Sequence, residues 1–129
     1  MVGAALLRQL EGKGYQNLLL RSHAEVDLSD QSATFRLFRE EKPEVVILAA
    51  AKVGGILANN SFPAEFIYKN ISIQNNVLQA AAENSVSEVL FLGSSCIYPR
   101  DCAQPIREDY LMSGPLETTN RPYAVAKIA

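Results

Sequence analysis

Tryptophan is absent from this chain of 129 residues, histidine occurs once and cysteine only twice. One histidine and two cysteines cannot build a typical zinc site unaided, so no metal centre is expected. Cys96 and Cys102 lie too close in sequence to make a useful disulfide framework, which points to a reducing, cytoplasmic setting. No apolar run approaches the roughly 20 residues that span a bilayer, and the opening residues lack the layout of a signal peptide; no membrane partner is expected. A large charge excess is missing too. With 12 Lys+Arg against 14 Asp+Glu, the net charge of −2 gives no basic footprint for nucleic acid. Neither a nucleophile-elbow serine nor a phosphate-binding lysine loop occurs. What remains is a single-domain globular chain, 48% hydrophobic, long enough for a core but short for an enzyme that must hold a cofactor and a large substrate.

Val2 to Leu10 carries apolar residues at helical spacing (Val2, Ala5, Leu6, Leu10), and Gly12 and Gly14 offer a stop. Asn17 to Arg21 is expected to form a short buried strand. Asp27 to Asp30 supplies N-cap chemistry for a helix running to about Arg39, with Phe35 and Phe38 facing inward, until Pro43 breaks it. Glu44 to Ala49 is a second strand, continuously apolar as parallel strands are. Lys52 to Gly55 forms a loop. Pro63 starts a long helix reaching about Asn84, with Phe66, Ile67, Ile71, Val77, Leu78 and Ala81 as packing positions. A third strand, Glu88 to Gly93, precedes a polar stretch from Ser94 to Asn120 and a last helix from about Pro122 to Ala129.

This alternation predicts an α/β fold, a doubly wound parallel sheet covered on both faces. Ligands in such folds sit beyond the carboxyl ends of the strands, which directs attention to Arg21-Ser-His23, to Ala49 through Lys52 and to Ser94-Ser-Cys96. A doubly wound domain normally opens with a central strand, whereas this chain opens in a helix. Gly3 stands where the last glycine of a G-x-x-G-x-x-G turn would stand, although an ordinary helix also tolerates one glycine.

Tyr123 and Lys127 form Tyr-x-x-x-Lys on one face of the last helix. An ammonium beside a phenol stabilises phenolate and is expected to lower the tyrosine's pKa towards neutrality, fitting it for proton transfer. Five tyrosines and five lysines give about 0.2 such pairs by chance, so the motif gains weight mainly from Ser94-Ser95 one loop earlier. A serine hydroxyl there could reach the same substrate oxygen as Tyr123. Cys96 follows at the strand's mouth; a small buried hydrophobe is the commoner fate of a lone cysteine, and Cys102 is read that way or as plainly exposed. At the end of the first strand no acid occurs before Glu25 and a cation, Arg21, is present. That pattern leans towards the 2′-phosphate of NADP over the 2′-hydroxyl of NAD, while His23 could equally be an exposed polar residue. Asp27 reads more securely as a helix cap than as a ligand contact. Ala49 and Ala50 could let the backbone approach a dinucleotide closely or could simply pack, and Gly54-Gly55 marks a turn.

Leu48-Ala-Ala-Ala-Lys-Val-Gly-Gly55, Ala58-Asn-Asn60, Phe91-Leu-Gly-Ser-Ser-Cys-Ile-Tyr-Pro99 and Pro122-Tyr-Ala-Val-Ala-Lys-Ile-Ala129 closely resemble the GDP-L-fucose synthase family. These are the GDP-4-keto-6-deoxy-D-mannose 3,5-epimerase/4-reductases of the extended short-chain dehydrogenase/reductase group. The resemblance covers essentially the whole chain and implies a Rossmann-type domain, NADP as cofactor and a GDP-sugar substrate. It implies that Tyr123 protonates the carbonyl oxygen during reduction, that Lys127 binds the nicotinamide ribose and tunes Tyr123, that Ser94 bonds the same oxygen, and that Cys96 is the epimerisation base. It further implies that Gly3, the stretch from His23 through Asp27 to Leu28, Ala49, Ala50, and Leu92, Gly93, Ser94 and Ser95 lie along the cofactor.

By the same comparison, the family's opening strand, the first glycines of its phosphate turn, the histidine acid that partners the cysteine and the smaller sugar-gripping domain are not in this sequence. His23 also stands where the family often has arginine. Residues 1–129 are therefore expected to be a partial NAD(P)-binding domain, truncated at both ends, of an enzyme that is homodimeric through the helices from Pro63 and Pro122. Two other readings stand beside this one: an NAD-dependent NDP-sugar epimerase or dehydratase, and a non-catalytic dimerisation fragment. The 129-residue chain alone is expected neither to bind NADPH tightly nor to turn over. A titration followed by NADPH fluorescence checks this, and a micromolar saturable signal would refute it.

Overall fold

The computed structural model describes residues 1–129. Helix α1 covers Val2–Gly12, α2 Gln31–Glu41, α3 Ile56–Ser61, α4 Pro63–Glu83 and α5 Arg121–Ile128; strands β1 and β2 are Val45–Leu48 and Glu88–Phe91. Single 3-10 turns occur at Ser95–Ile97 and Glu108–Tyr110. The chain divides into two compact units, one of residues 1–50 and 73–92, the other of residues 51–72 and 93–129.

In the first unit the helix ends follow from local chemistry. Gly14 takes φ +85°, its amide donates to Glu11 O at 2.9 Å, and the Tyr15 amide donates to Leu10 O at 3.1 Å. This closes α1 with a Schellman motif, in which glycine is favoured because a Cβ strains the left-handed conformation. The Asp30 carboxylate accepts the Ala33 amide at 2.9 Å and caps α2. That helix ends at Lys42, left-handed ahead of Pro43. Asp27, the expected cap, instead accepts the Ser29 amide and hydroxyl at 2.9 and 2.7 Å, forming a turn one step earlier.

Strands β1 and β2 pair in parallel, Val45 opposite Glu88 through Leu48 opposite Phe91. The Ser87 amide and hydroxyl on Glu44 O, at 2.9 and 2.7 Å, pin the start of the ladder, and Leu92 N on Leu48 O at 3.3 Å carries it one residue further. Phe38, Leu48, Val77, Ala80 and Ala81 form the buried core, with Leu28, Phe35, Val46 and Phe91 packed against it. A buried Asn76 side chain donates to Leu28 O at 3.0 Å.

Three expectations are corrected here. Residues 17–21 form no strand, and Leu19 and Leu20 are 40% and 57% exposed. A strand exists only through a ladder, and β1 and β2 pair with each other alone. The sheet is also not covered on both faces, for Val45 and Leu90 are about half exposed. Leu78 is 41% exposed, at the edge of the α4 stripe that buries Val77 and Ala81.

In the second unit polar side chains do much of the folding. Buried Asn70 accepts the Lys52 amide and donates to Lys52 O, both at 3.0 Å, and donates to Phe66 O at 2.7 Å. Asn59, on the short helix α3 that the sequence pattern did not suggest, donates to Gly54 O and Gly55 O at 2.9 and 3.1 Å. A Cβ on Gly54 would stand 3.0 Å from both Ala58 Cβ and Phe66 Cζ, so close packing demands that glycine. No helix is long and apolar enough to cross a membrane.

Phe38→Ala is expected to lower unfolding free energy by about 3–5 kcal/mol through lost burial and a residual cavity. Leu78→Ala should change it by less than about 0.5 kcal/mol. Urea-denaturation midpoints of the two variants check the contrast.

Candidate active site

Where the chain leaves β2, the Ser94 side chain accepts the Cys96 amide at 3.3 Å. This caps the 3-10 turn and turns Cys96 away from the extended backbone of Ser94. Helix α5 packs against that turn. Proline in the first turn of α5 fits a helix start, where its missing N–H would be unpaired anyway. From α5, Tyr123 brings its phenol within the influence of two residues of the turn. Burial raises its pKa above the ordinary 10.0, a hydrogen bond with the Ser94 side chain pulls down, and the charge of Cys96 pushes further up.

Four residues singled out in the sequence thus lie in one unit: Ser94 and Cys96 on the turn, Tyr123 and Lys127 one helical turn apart on α5. One expectation fails. Tyr123 does not have its pKa lowered towards neutrality; it is raised, because withdrawal from water disfavours the phenolate more than its hydrogen bond favours it. Lys127, 8% exposed, is shifted down by the same cause. Tyr123 is therefore set up to keep its proton.

Two residues that no sequence motif marks stand beside these four. Asn120 donates from Nδ2 to Cys96 Sγ at 3.1 Å. Glu117 organises the approach to α5: its carboxylate accepts the Thr119 hydroxyl at 2.6 Å, the Thr119 amide at 3.0 Å and the Asn120 amide at 3.1 Å. These bonds, the Thr119 hydroxyl foremost, hold its pKa down at about 2. An acid followed by two threonines ahead of a helix-starting proline was the available signal for Glu117. Nothing local marks Asn120's partner.

The residues expected along a cofactor fall in both units. In the first, His23 carries a side chain 82% exposed with Nδ1 3.8 Å from Asp27 Oδ1. Glu25, the first acid after it in sequence, is engaged by the Ser22 amide and hydroxyl at 2.7 Å each, and Arg21 is paired with Glu41. Leu28 packs on the core, and Leu92 extends the ladder. Ala49 and Ala50 follow β1. In the second, Gly93 and Ser95 are exposed, and no heavy atom lies within 4 Å of a Cβ built on Gly93, leaving open space beside the backbone. Gly3 lies inside the first turn of α1 with equally open surroundings, so packing does not demand glycine there. Two surface hollows, of about 850 and 440 Å³, are lined by other residues: one by Phe35, Arg39 and Gln79 among others, one by Cys102, Tyr110 and Pro115 among others.

Residues 1–129 match the NAD dependent epimerase/dehydratase family throughout. The chain belongs to that family. It is 56% identical over 129 residues to the putative GDP-L-fucose synthase 2 of Arabidopsis thaliana, covering all of this chain and 39% of that protein. It is 54% identical to the GDP-L-fucose synthase of Escherichia coli strain K12, covering all of this chain and 40% of that one. Among solved structures, the GDP-mannoheptose C4 reductase from Campylobacter jejuni with NADP bound superposes with a TM-score of 0.94 at 41% identity, over 98% of this chain and 40% of the reductase. The chain thus spans about two-fifths of the length of the curated relatives it matches. What it shares with these epimerase-family proteins is a portion of the Rossmann-type fold, including the parallel pair β1 and β2.

The Glu117 carboxylate has a folded-state pKa of about 2 against an ordinary 4.5. A depressed carboxylate stabilises the fold above its unfolded pKa and ceases to do so as pH falls through the folded value. Glu117→Gln is therefore expected to flatten the loss of stability between pH 4.5 and about 2 while leaving its pH dependence above 5 unchanged. Denaturation midpoints of both proteins across pH 2–7 check this.

Proposed function

We propose that the protein carrying this chain converts GDP-4-keto-6-deoxy-D-mannose to GDP-L-fucose, epimerising at the two carbons beside the ketone and then reducing it with NADPH. The observation that carries this is the grouping of Cys96, Ser94 and Tyr123 in one unit, with Asn120 on the sulfur. A nucleotide-sugar reductase without epimerisation needs the phenol and the hydroxyl but has no use for a thiol beside them.

In epimerisation the Cys96 thiolate takes the proton on a carbon next to the ketone, and the electron pair left behind moves onto the carbonyl oxygen. Hydrogen-bond donors aimed at that oxygen stabilise the charge as it develops, and Tyr123 and Ser94 are placed to be those donors. Return of a proton to the opposite face takes a second acid. In reduction, bound NADPH supplies the hydride to the carbonyl carbon. Tyr123, kept protonated by burial, gives its proton to the oxygen as the alkoxide forms.

The buried Lys127 ammonium and the open backbone at Gly93 suit a ribose and its neighbouring groups. In the other unit, His23 is an exposed imidazole, and Ala49 and Ala50 put small side chains just after β1. We read residues 1–129 as part of the NADP-binding domain of a cytoplasmic homodimer.

With the protein that carries this chain, Cys96→Ser should cut solvent-deuterium incorporation at the two carbons beside the ketone at least 100-fold while hydride transfer continues. Tyr123→Phe should slow reduction by about 10²–10⁴. Mass spectrometry of the sugar and NADPH absorbance read the two steps separately. Unchanged deuterium incorporation in Cys96→Ser would transfer the reading to an NDP-sugar epimerase or dehydratase that does not use the thiol.

A further inference from the structure

We infer that Asn120 is a positioning residue for Cys96, its side-chain amide holding the sulfur in place as a hydrogen-bonded thiolate base. The inference rests on the epimerase reading for its purpose but on geometry for its substance. Asn120 stands at the N-cap of α5, where an asparagine ordinarily turns its oxygen onto the helix's first amides. Here the side chain makes no such bond. It reaches instead across 24 residues of sequence, and Nδ2 donates to Cys96 Sγ at 3.1 Å.

The arrangement leaves Asn120 Oδ1 buried with no partner, an unfavourable state for an acceptor. The amide's direction is set by its other end. The backbone of Asn120 is fixed independently, since its N–H donates to Glu117 Oε2 at 3.1 Å and that carboxylate also gathers Thr119. Carboxylate, backbone, amide and sulfur thus form a chain of contacts that ends on the proposed base. An N–H donor favours the charged form of sulfur, and a fixed donor also limits where the sulfur can point.

Titratable groups flank the thiol along α5 and its approach, Arg121 beside Asn120 among them. Tyr123 faces it from α5 and interacts with it electrostatically. Lys127 lies one turn further along the same helix, and Glu117 precedes Asn120 with its oxygens engaged by Thr118, Thr119 and Asn120. Ser94 is uncharged and bonds the Cys96 amide.

The test uses the protein that carries this chain and follows iodoacetamide alkylation of the Cys96 peptide by mass spectrometry as a function of pH. Asn120→Ala should raise the midpoint by one pH unit or more, leaving about tenfold less thiolate at neutral pH. Asn120→Asp, nearly the same shape, should raise it further, because a carboxylate puts like charge where the donor stood. It also serves if the alanine variant fails to fold. In both variants deuterium exchange into the sugar should fall at neutral pH with KM unchanged and recover as pH rises, a recovery that loss of structure would not produce. An unmoved alkylation midpoint in the folded variants overturns the assignment. A raised midpoint in a protein that exchanges no deuterium even when unsubstituted sustains the amide–thiol contact and removes the epimerase reading.

Discussion

Ser94 has one hydroxyl and two claims on it. Its oxygen accepts the Cys96 amide at 3.3 Å, and the same side chain bonds Tyr123. A serine hydroxyl carries one proton and two lone pairs, so it accepts from the amide while its proton remains available to an oxygen beside it. One side chain therefore caps the 3-10 turn and bears on the phenol that α5 brings to it. Removing the hydroxyl would loosen the turn and change the phenol's surroundings at once.

The two units reach their shapes by different means. In the first, the apolar side chains of α2, β1, β2 and the second half of α4 exclude water around Phe38 and Leu48. The second has less to bury and relies on amide side chains bonded to backbone. Asn70 grips Lys52 at both its N–H and its carbonyl, and Asn59 gathers the carbonyls of Gly54 and Gly55. The loop after β1 has no ladder to satisfy its peptide groups, and buried peptide groups must find partners somewhere. Asparagine supplies donor and acceptor in one short side chain. Lys52, its backbone fixed in this way, is free to lay its ammonium 2.8 Å from Glu65.

What could be seen in the sequence was what local chemistry decides. Asp30, Pro63 and the proline in the first turn of α5 mark helix starts because capping and proline geometry act within a few residues. The runs that became β1 and β2 were visible as continuous apolar stretches, but so was 17–21, which is not a strand. The run of leucines there has the right composition and no neighbour, and pairing is not a property of the run. Tyr-x-x-x-Lys spacing correctly placed two side chains a turn apart, yet gave the wrong direction for the phenol. Spacing reports which charge is near, while the water removed from around Tyr123 depends on packing that no spacing encodes. Asn120 was invisible for a related reason: its meaning lies in a sulfur 24 residues away.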